Sequence, residues 1–305
     1  VLPPGSRLGL TLDVLAAADY LGWQKRLPGV ELIDATGPWL DLKAIKDAWE
    51  LERMAAAGAL AVGIYAELPK IIRQGMSEAE LAGEMQKRAI AGGSIDHLRS
   101  RHAYHQTYSW HIASGPAGTL PSGMDAPFNG WGLSPAFPLG ASHQKLVKGV
   151  PINVDFGVSL EGYQTDQTRT FVIGPAPKEV ARAHACLEEI EAALIDGVRP
   201  GAISGELFAM AGAIAQAHGL AEDWLGREGS KIRFCAHGVG QELGAPPYVL
   251  QGSQAVVRAH ETYALELKIV TDLGPVGLES TVAVAPEGPA INLTPAPSEL
   301  IEVRA

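Results

Sequence analysis

The chain has 305 residues, 47% of them hydrophobic and 19% charged, a length that carries one large core or two smaller ones and excludes a mini-protein held by staples. With 24 Lys and Arg against 34 Asp and Glu, the formal charge of -10 disfavours a backbone-driven grip on nucleic acid or anionic lipid, so neither is expected as a partner. The two cysteines, Cys186 and Cys235, permit at most one bridge and read as free thiols of a reducing compartment.

Residues 1 to about 40 carry an apolar periodic run, TLDVLAAADYLGWQKRL, then GVELIDA and the turn-rich TGPW, which predicts a helix followed by a short strand. Forty residues bury little alone, so this segment is either the tail end of a preceding domain or an extension lying on the main one. The first residue is Val, and further sequence upstream is expected. The opening VLPPGSRLGLTLD lacks the basic-then-apolar layout of a secretory leader, and no stretch approaches the ~20 uninterrupted apolar residues of a membrane span. The expected setting is cytoplasmic.

From Lys43 an Ala-rich run, KAIKDAWELERMAAAGALAVGIYAELPKII, has apolar residues at helical spacing and predicts a long helix. GMSEAELAGEMQKRAIAGG predicts a second, with Ser77 and Glu80 in capping-box positions and Gly92 and Gly93 ending it. Between Ile95 and Gly149 short runs alternate with Gly and Pro, which suits short strands and shaped loops at a rim or pocket wall. VPINVDFGVSLEGYQTDQTRTFVIG then reads as a hairpin. Two further helical runs follow, VARAHACLEEIEAALIDGV and GELFAMAGAIAQAHG, and then the strand-like IRFCAHG, ETYALELKIV and GLESTVAVAP. Helix, helix, strands occurs twice, which predicts an α+β domain with pseudo-twofold order and a curved antiparallel sheet covered by helices.

Asp155 and Asp166 lie eleven residues apart in the hairpin, and one continuous strand would face them oppositely. A turn or bulge near Glu161 and Gly162 brings both over one cavity; the bland alternative is a strand end and a turn cap. His237 follows an apolar strand in CAHGVG, and Glu266 and Glu279 lie in YALELKIV and GLESTVAVA. Each alone reads more simply as a solvated or salt-bridged residue, but an unpaired carboxylate turned inward from a strand is costly. Two Asp, two Glu and one His together form a chemically sensible set for a pair of divalent ions, Mn²⁺, Zn²⁺, Co²⁺ or Fe²⁺, the four carboxylates offsetting four positive charges. A water between such ions is acidified toward hydroxide and held for attack on a polarised carbonyl, so the implied chemistry is metal-assisted hydrolysis.

At these residues the sequence resembles the creatinase, prolidase and methionine aminopeptidase superfamily, the pita-bread metallopeptidases of family M24. VDFGVSLEGYQTDQTRTF looks like the segment of the two aspartate ligands, AHGVG like the HGxG segment, and YALELK and GLESTVAV like the two glutamate segments. The similarity runs from about Lys43 to the closing INLTPAPSELIEV and is nearest the Xaa-Pro aminopeptidase and prolidase branch. It implies that Asp155 binds one ion, that Asp166 and Glu279 bridge both, and that His237 and Glu266 complete the second, with Glu266 also receiving the water proton. It implies a homodimer, and it makes residues 1–42 the remnant of an N-terminal domain plus linker, with residues 43–305 as the pita-bread catalytic domain.

Two departures qualify the substrate. Gly244 in HGVGQELGAPP and Leu139 in FPLGASHQKL stand where peptidases of this superfamily usually place substrate-side histidines, and an oxyanion stabiliser normally supplies a large catalytic term. His143 reads as a surface residue more than a shifted substitute. His102, His105, His111 and His260 remain available, with His105 and His111 the first choices for a pocket wall and Tyr104 and Tyr108 as possible orienting hydroxyls. The leading expectation is hydrolysis of small peptides of the Xaa-Pro type. The alternatives are the same centre acting on a non-peptide small molecule, as a creatinase-like hydrolase or a lyase, and a catalytically silent homologue.

Overall fold

In a computed structural model of the chain, which describes residues 2–101, 110–121 and 126–304, the N-terminal segment forms a small α/β unit. Strands β1 (Arg7–Leu10) and β2 (Glu31–Asp34) pair in parallel, joined by helix α1 (Ala17–Arg26). The sequence reading missed β1, whose RLGL is too short to show alternation. TGPW is not a turn but the start of helix α2 (Thr36–Ala44), where Pro38 falls among the first N–H groups that lack a helical partner anyway. Helix α2 runs across the expected 42/43 boundary.

The long helix α3 (Ala48–Ile71) begins at Ala48 rather than Lys43 because Asp47 caps it. The Glu50 amide donates to Asp47 Oδ1 at 2.8 Å and the Asp47 amide donates to Glu50 Oε2 at 2.9 Å. By length and composition α3 could cross a bilayer; in the fold it buries Met54, Ala57, Ala61, Ile64, Tyr65 and Leu68. Helix α4 (Glu78–Ala91) carries the expected capping box of Ser77 and Glu80 and ends at Gly92.

Strands β3 (Trp110–Ser114), β4 (Pro151–Phe156), β5 (Val158–Leu160), β6 (Tyr163–Thr165) and β7 (Thr168–Ile173) follow. The predicted hairpin is therefore interrupted on both arms, after Phe156 and before Thr168. Its tip turns at Glu161 and Gly162, whose φ values of 51° and 87° match the left-handed pair that a tight hairpin turn demands. Helices α5 (Lys178–Gly197) and α6 (Ser204–Ala217) open the second half. They are followed by β8 (Phe234–Gly238), β9 (Ala245–Leu250), β10 (Thr262–Ala264), β11 (Leu267–Thr271), β12 (Gly274–Leu278) and β13 (Thr281–Ala283). The short β14 (Ile291–Asn292) and β15 (Ile301–Val303) close the chain.

Helix, helix, strands thus occurs twice, as the sequence order predicts, and the domain is α+β with curved antiparallel sheets covered by helices. In the first half β15, β7, β4 and β3 lie side by side; in the second the order is β14, β13, β10, β8, β9, while β11 and β12 pair as a separate ribbon that packs on β4 and β7. Each half has its own core. Leu81, Met85, Ile152, Val154 and Phe171 pack under α3 and α4, and Leu187, Ile190, Ile269, Val276 and Leu278 pack under α5 and α6. Strands β7 and β11 to β13 are buried along their whole length, as expected for strands covered on both faces, and the two charged residues they carry, Arg169 on β7 and Lys268 on β11, are buried with them. The halves meet at Thr168 and Glu279, whose amides donate to each other's carbonyls at 3.2 and 3.0 Å.

Candidate metal centre

Three of the four carboxylates of the predicted set, Asp166, Glu266 and Glu279, stand at breaks between strands, and the fourth, Asp155, lies within β4. Asp155 lies on β4 directly opposite Thr168 of β7 and His111 of β3. Asp166 sits between β6 and β7, with its amide donating to Thr281 Oγ1 and the same hydroxyl donating to the Asp166 carbonyl, both at 2.9 Å. Glu266 occupies the gap between β10 and β11, and Glu279 that between β12 and β13. Leaving the ladder lets these side chains turn toward the junction of the halves.

Beneath them Arg169, fully buried, spends its guanidinium on backbone carbonyls: Thr168 at 2.8 Å, Glu279 at 2.6 Å, Ala296 at 2.9 Å and Pro297 at 2.7 Å. The Tyr65 hydroxyl, also buried, donates to the Gln167 carbonyl. The segments bearing the carboxylates are thereby fixed before any ligand arrives.

His237, on β8, has Nδ1 3.2 Å from the Gly238 carbonyl oxygen. A carbonyl can only accept, so Nδ1 carries a proton, and in the neutral ring the lone pair of Nε2 faces outward. It points at carboxylates: Glu279 Oε1 at 3.7 Å, Asp166 Oδ2 at 3.9 Å and Glu266 Oε2 at 4.0 Å. Those separations are too long for hydrogen bonds. Glu279 Oε1 is buried and has no hydrogen-bond partner among the described residues. A lone pair and three carboxylate oxygens facing one another across an open centre fit a divalent cation, since ion-to-ligand bonds of about 2.0–2.2 Å place neighbouring ligands about 3–4 Å apart. Asp166, His237 and Glu279 form one such group, and Asp155, Glu266 and Glu279 a second. The side chains of a two-ion centre are all present.

Lys268, which the sequence reading did not single out, enters the Asp155 side. Its ammonium, on a side chain 1% exposed, donates to Thr168 Oγ1 at 2.5 Å, Asp155 Oδ2 at 3.0 Å and Glu279 Oε2 at 3.3 Å. Glu266 Oε1 lies 3.4 Å away. The signal was available: Glu266 and Lys268 are two residues apart in a strand-like run, a spacing that returns side chains to the same face.

Burial disfavours the charge on Asp155, Asp166, Glu266 and Lys268, and their neighbours decide the outcome. Burial alone would raise the Asp155 pKa, but the Lys268 ammonium and His111 hold it well below the usual carboxylate range. Asp166 and Glu266 are pushed far up, first by burial and then by the Glu279 carboxylate. Burial lowers the Lys268 pKa, and Asp155, Glu266 and Glu279 more than reverse it. The cluster is short of positive charge on the His237 side.

Of the expected pocket-wall residues, His111 has Nδ1 3.8 Å from Asp155 Oδ2. His105 lies outside the described residues, as do His102, Tyr104 and Tyr108. His143 is exposed, and His260 occupies a left-handed turn at φ 65°. Gly244, at φ 67°, has nothing within 4 Å of where a side chain would begin, and Leu139 is half-buried. Cys186 and Cys235 are free and buried.

Residues 52–286 match the sequence model of metallopeptidase family M24. The chain belongs to that family. An M24 chain with these ligands is a metal-dependent hydrolase. It is 28% identical over 295 residues to the probable dipeptidase PepE of Mycobacterium tuberculosis, covering 96% of this chain and 68% of that protein. The crystal structure of dipeptidase PepE from Mycobacterium ulcerans superimposes with a TM-score of 0.79 at 26% identity, covering 99% of this chain and 72% of the other. An X-Pro aminopeptidase from Thermotoga maritima shares the fold, with a TM-score of 0.81 at 20% identity over 98% of this chain and 75% of its own. The pita-bread architecture and the resemblance to the prolidase and Xaa-Pro aminopeptidase branch are both met.

Proposed function

We propose that this chain hydrolyses the amide bond of short peptides, with Xaa-Pro dipeptides the first substrates to offer. The observation that carries the reading is the outward lone pair of His237 Nε2, ringed by Asp166, Glu266 and the unpartnered oxygen of Glu279. These four residues would hold a divalent ion. When bound there, such an ion polarises a substrate carbonyl and acidifies a water. Mn²⁺, Zn²⁺, Co²⁺ and Fe²⁺ all suit mixed carboxylate and imidazole ligation.

The protein's own groups supply the rest. Glu266, whose Oε2 faces His237 Nε2 at 4.0 Å, is the group placed to accept the proton a water releases there. His111, beside Asp155 on the first-half side, is placed to orient a substrate group at the wall. The similar proteins, a probable dipeptidase and an X-Pro aminopeptidase, favour a small peptide. A homodimer in the cytoplasm belongs to the same reading, with the exposed Trp39, Leu42 and Trp49 offering apolar surface for it.

A second reading rests on the bare position at Gly244. Among the described residues nothing lies within 4 Å of where a side chain at Gly244 would begin, so this position offers a developing oxyanion no donor, and a smaller substrate with its own donor would not need one. The chelated and ion-reconstituted chain should be assayed against Xaa-Pro dipeptides, longer Xaa-Pro peptides and a panel of small amides and carboxylates. Ion-dependent release of the N-terminal residue supports the peptidase reading. Turnover confined to non-peptide compounds transfers the function to the second.

A further inference from the structure

We infer that Lys268 is a built-in cation at the Asp155 side of the centre, so that the chain takes one divalent ion, on the His237 side, where the ligand set by itself would admit two. This goes beyond the proposed substrate and rests only on the basin being an ion-binding centre.

The ammonium fits its position as a ligand would. A lysine has three N–H donors, and here three acceptors receive them, from Asp155, Thr168 and Glu279. Thr168 completes the arrangement by donating its own proton to Glu279 Oε2 at 2.8 Å, so its oxygen is left to accept from Lys268. The two glutamates divide their oxygens between the halves of the basin. Glu279 gives Oε2 to Lys268 and turns Oε1 toward His237; Glu266 gives Oε1 to Lys268 and turns Oε2 toward His237. One side is filled by a cation with every donor used; the other has a lone pair and unpartnered oxygen.

The path of the side chain is built too. Lys268 on β11 faces Gly277 on β12 in the strand pairing. A Cβ at Gly277 would meet Asn153 Oδ1 at 2.1 Å, Thr168 Cγ2 at 2.8 Å and Lys268 Cδ at 2.9 Å, so the glycine leaves room for the lysine stem. With the side chain 1% exposed, the ammonium has no water-facing position to retreat to without moving its neighbours. A second dication bound by Asp155 and Glu279 would therefore sit against a fixed positive charge at contact distance, where repulsion in a dry interior is large.

The test uses the whole chain with Mn²⁺ as the probe. Metal analysis after dialysis is combined with electron paramagnetic resonance, which distinguishes an isolated Mn²⁺ from an exchange-coupled pair. The expected result is one uncoupled ion per chain in the native sequence and two coupled ions in Lys268→Gly. Anomalous scattering from Mn²⁺-soaked crystals of the native chain, which needs no variant to fold, should show a single peak beside His237 Nε2 with Lys268 still on Asp155. Two coupled ions in the native chain overturn the proposal, as does a folded Lys268→Gly that still takes only one. No ion in either chain overturns the ion-binding reading itself and this inference with it.

Discussion

Glu279 Oε1 and His237 Nε2 face each other at 3.7 Å across the open centre with no hydrogen bond between them. Glu279 is fully buried, and its backbone is fastened to Thr168 and to the Arg169 guanidinium. Its carboxylate therefore cannot swing to water to recover solvation. Replacing it as Glu279→Gln keeps the shape and removes the charge. We expect divalent-ion affinity to fall by more than the roughly 10–100-fold that follows loss of an outer-shell partner, measured by competition with a chromophoric chelator. Unchanged affinity would remove Glu279 from the ligand set.

Arg169→Met tests the frame beneath the centre. It would strip the donors from the carbonyls of Thr168, Glu279, Ala296 and Pro297, all of which the guanidinium now satisfies. The Thr168 and Glu279 carbonyls keep their backbone amide bonds to each other, so those of Ala296 and Pro297 are left unpaired, and at about 1–3 kcal/mol for each the expected destabilisation is about 2 kcal/mol or more. Urea unfolding followed by circular dichroism measures it; a loss below about 1 kcal/mol would show that water replaces the guanidinium without cost.

A pH-dependent stability term should come from His184, which lies on α5 away from the ligand set. Burial, and then the Arg169 guanidinium, pushes its pKa down to about 4. The native imidazole stays neutral while the unfolded one, with an ordinary pKa of about 6.5, takes up a proton, so stability falls as pH drops through the window between them. From pH 7 to pH 5 this costs about 2 kcal/mol. His184→Gln should lose that slope, seen as the difference between the two chains' unfolding curves. Parallel curves would mean that the native imidazole is charged, through its 2.9 Å contact with Glu188.

The small N-terminal α/β unit is tied to the rest of the chain through Arg101, which forks onto Asp13 at 2.7 and 2.8 Å and lies 3.4 Å from Glu242, itself paired with Lys43. Arg101 is 7% exposed but Asp13 is 34% exposed, so screening discounts the pair to about 1–2 kcal/mol. Arg101→Ala should bring early protease cleavage within residues 11–35 while the rest of the chain stays folded. Cleavage at the native rate would show that apolar packing alone holds the unit.

The fold's repeated order and its centre were legible in the sequence for different reasons. Amphipathic runs and the Ser77 capping box announce helices locally, and Asp155, Asp166, His237, Glu266 and Glu279 lie in distinctive phrases. The hairpin tip at Glu161 and Gly162 was readable because only a left-handed turn suits it. Lys268 was not read, because a lysine in a strand is ordinarily a solvated edge residue and its role depends on carboxylates brought from β4 and from beyond β12. Helix α2 was missed because Gly37 and Pro38 favour turns locally, and only the helical first turn makes Pro38 harmless. Where a residue's partner lies a hundred positions away, as Thr168 and Lys268 do at 2.5 Å, local pattern carries no trace of the pairing.

The most direct test of the account is removal and return of the ion. The chain is stripped with a chelator, then titrated with Mn²⁺ while hydrolysis of an Xaa-Pro dipeptide is followed beside a His237→Ala control. The account predicts that activity vanishes on stripping, returns in step with ion bound, and does not return in the control. Hydrolysis that survives complete removal of metal, or that His237→Ala restores as fully as the native chain, would contradict it.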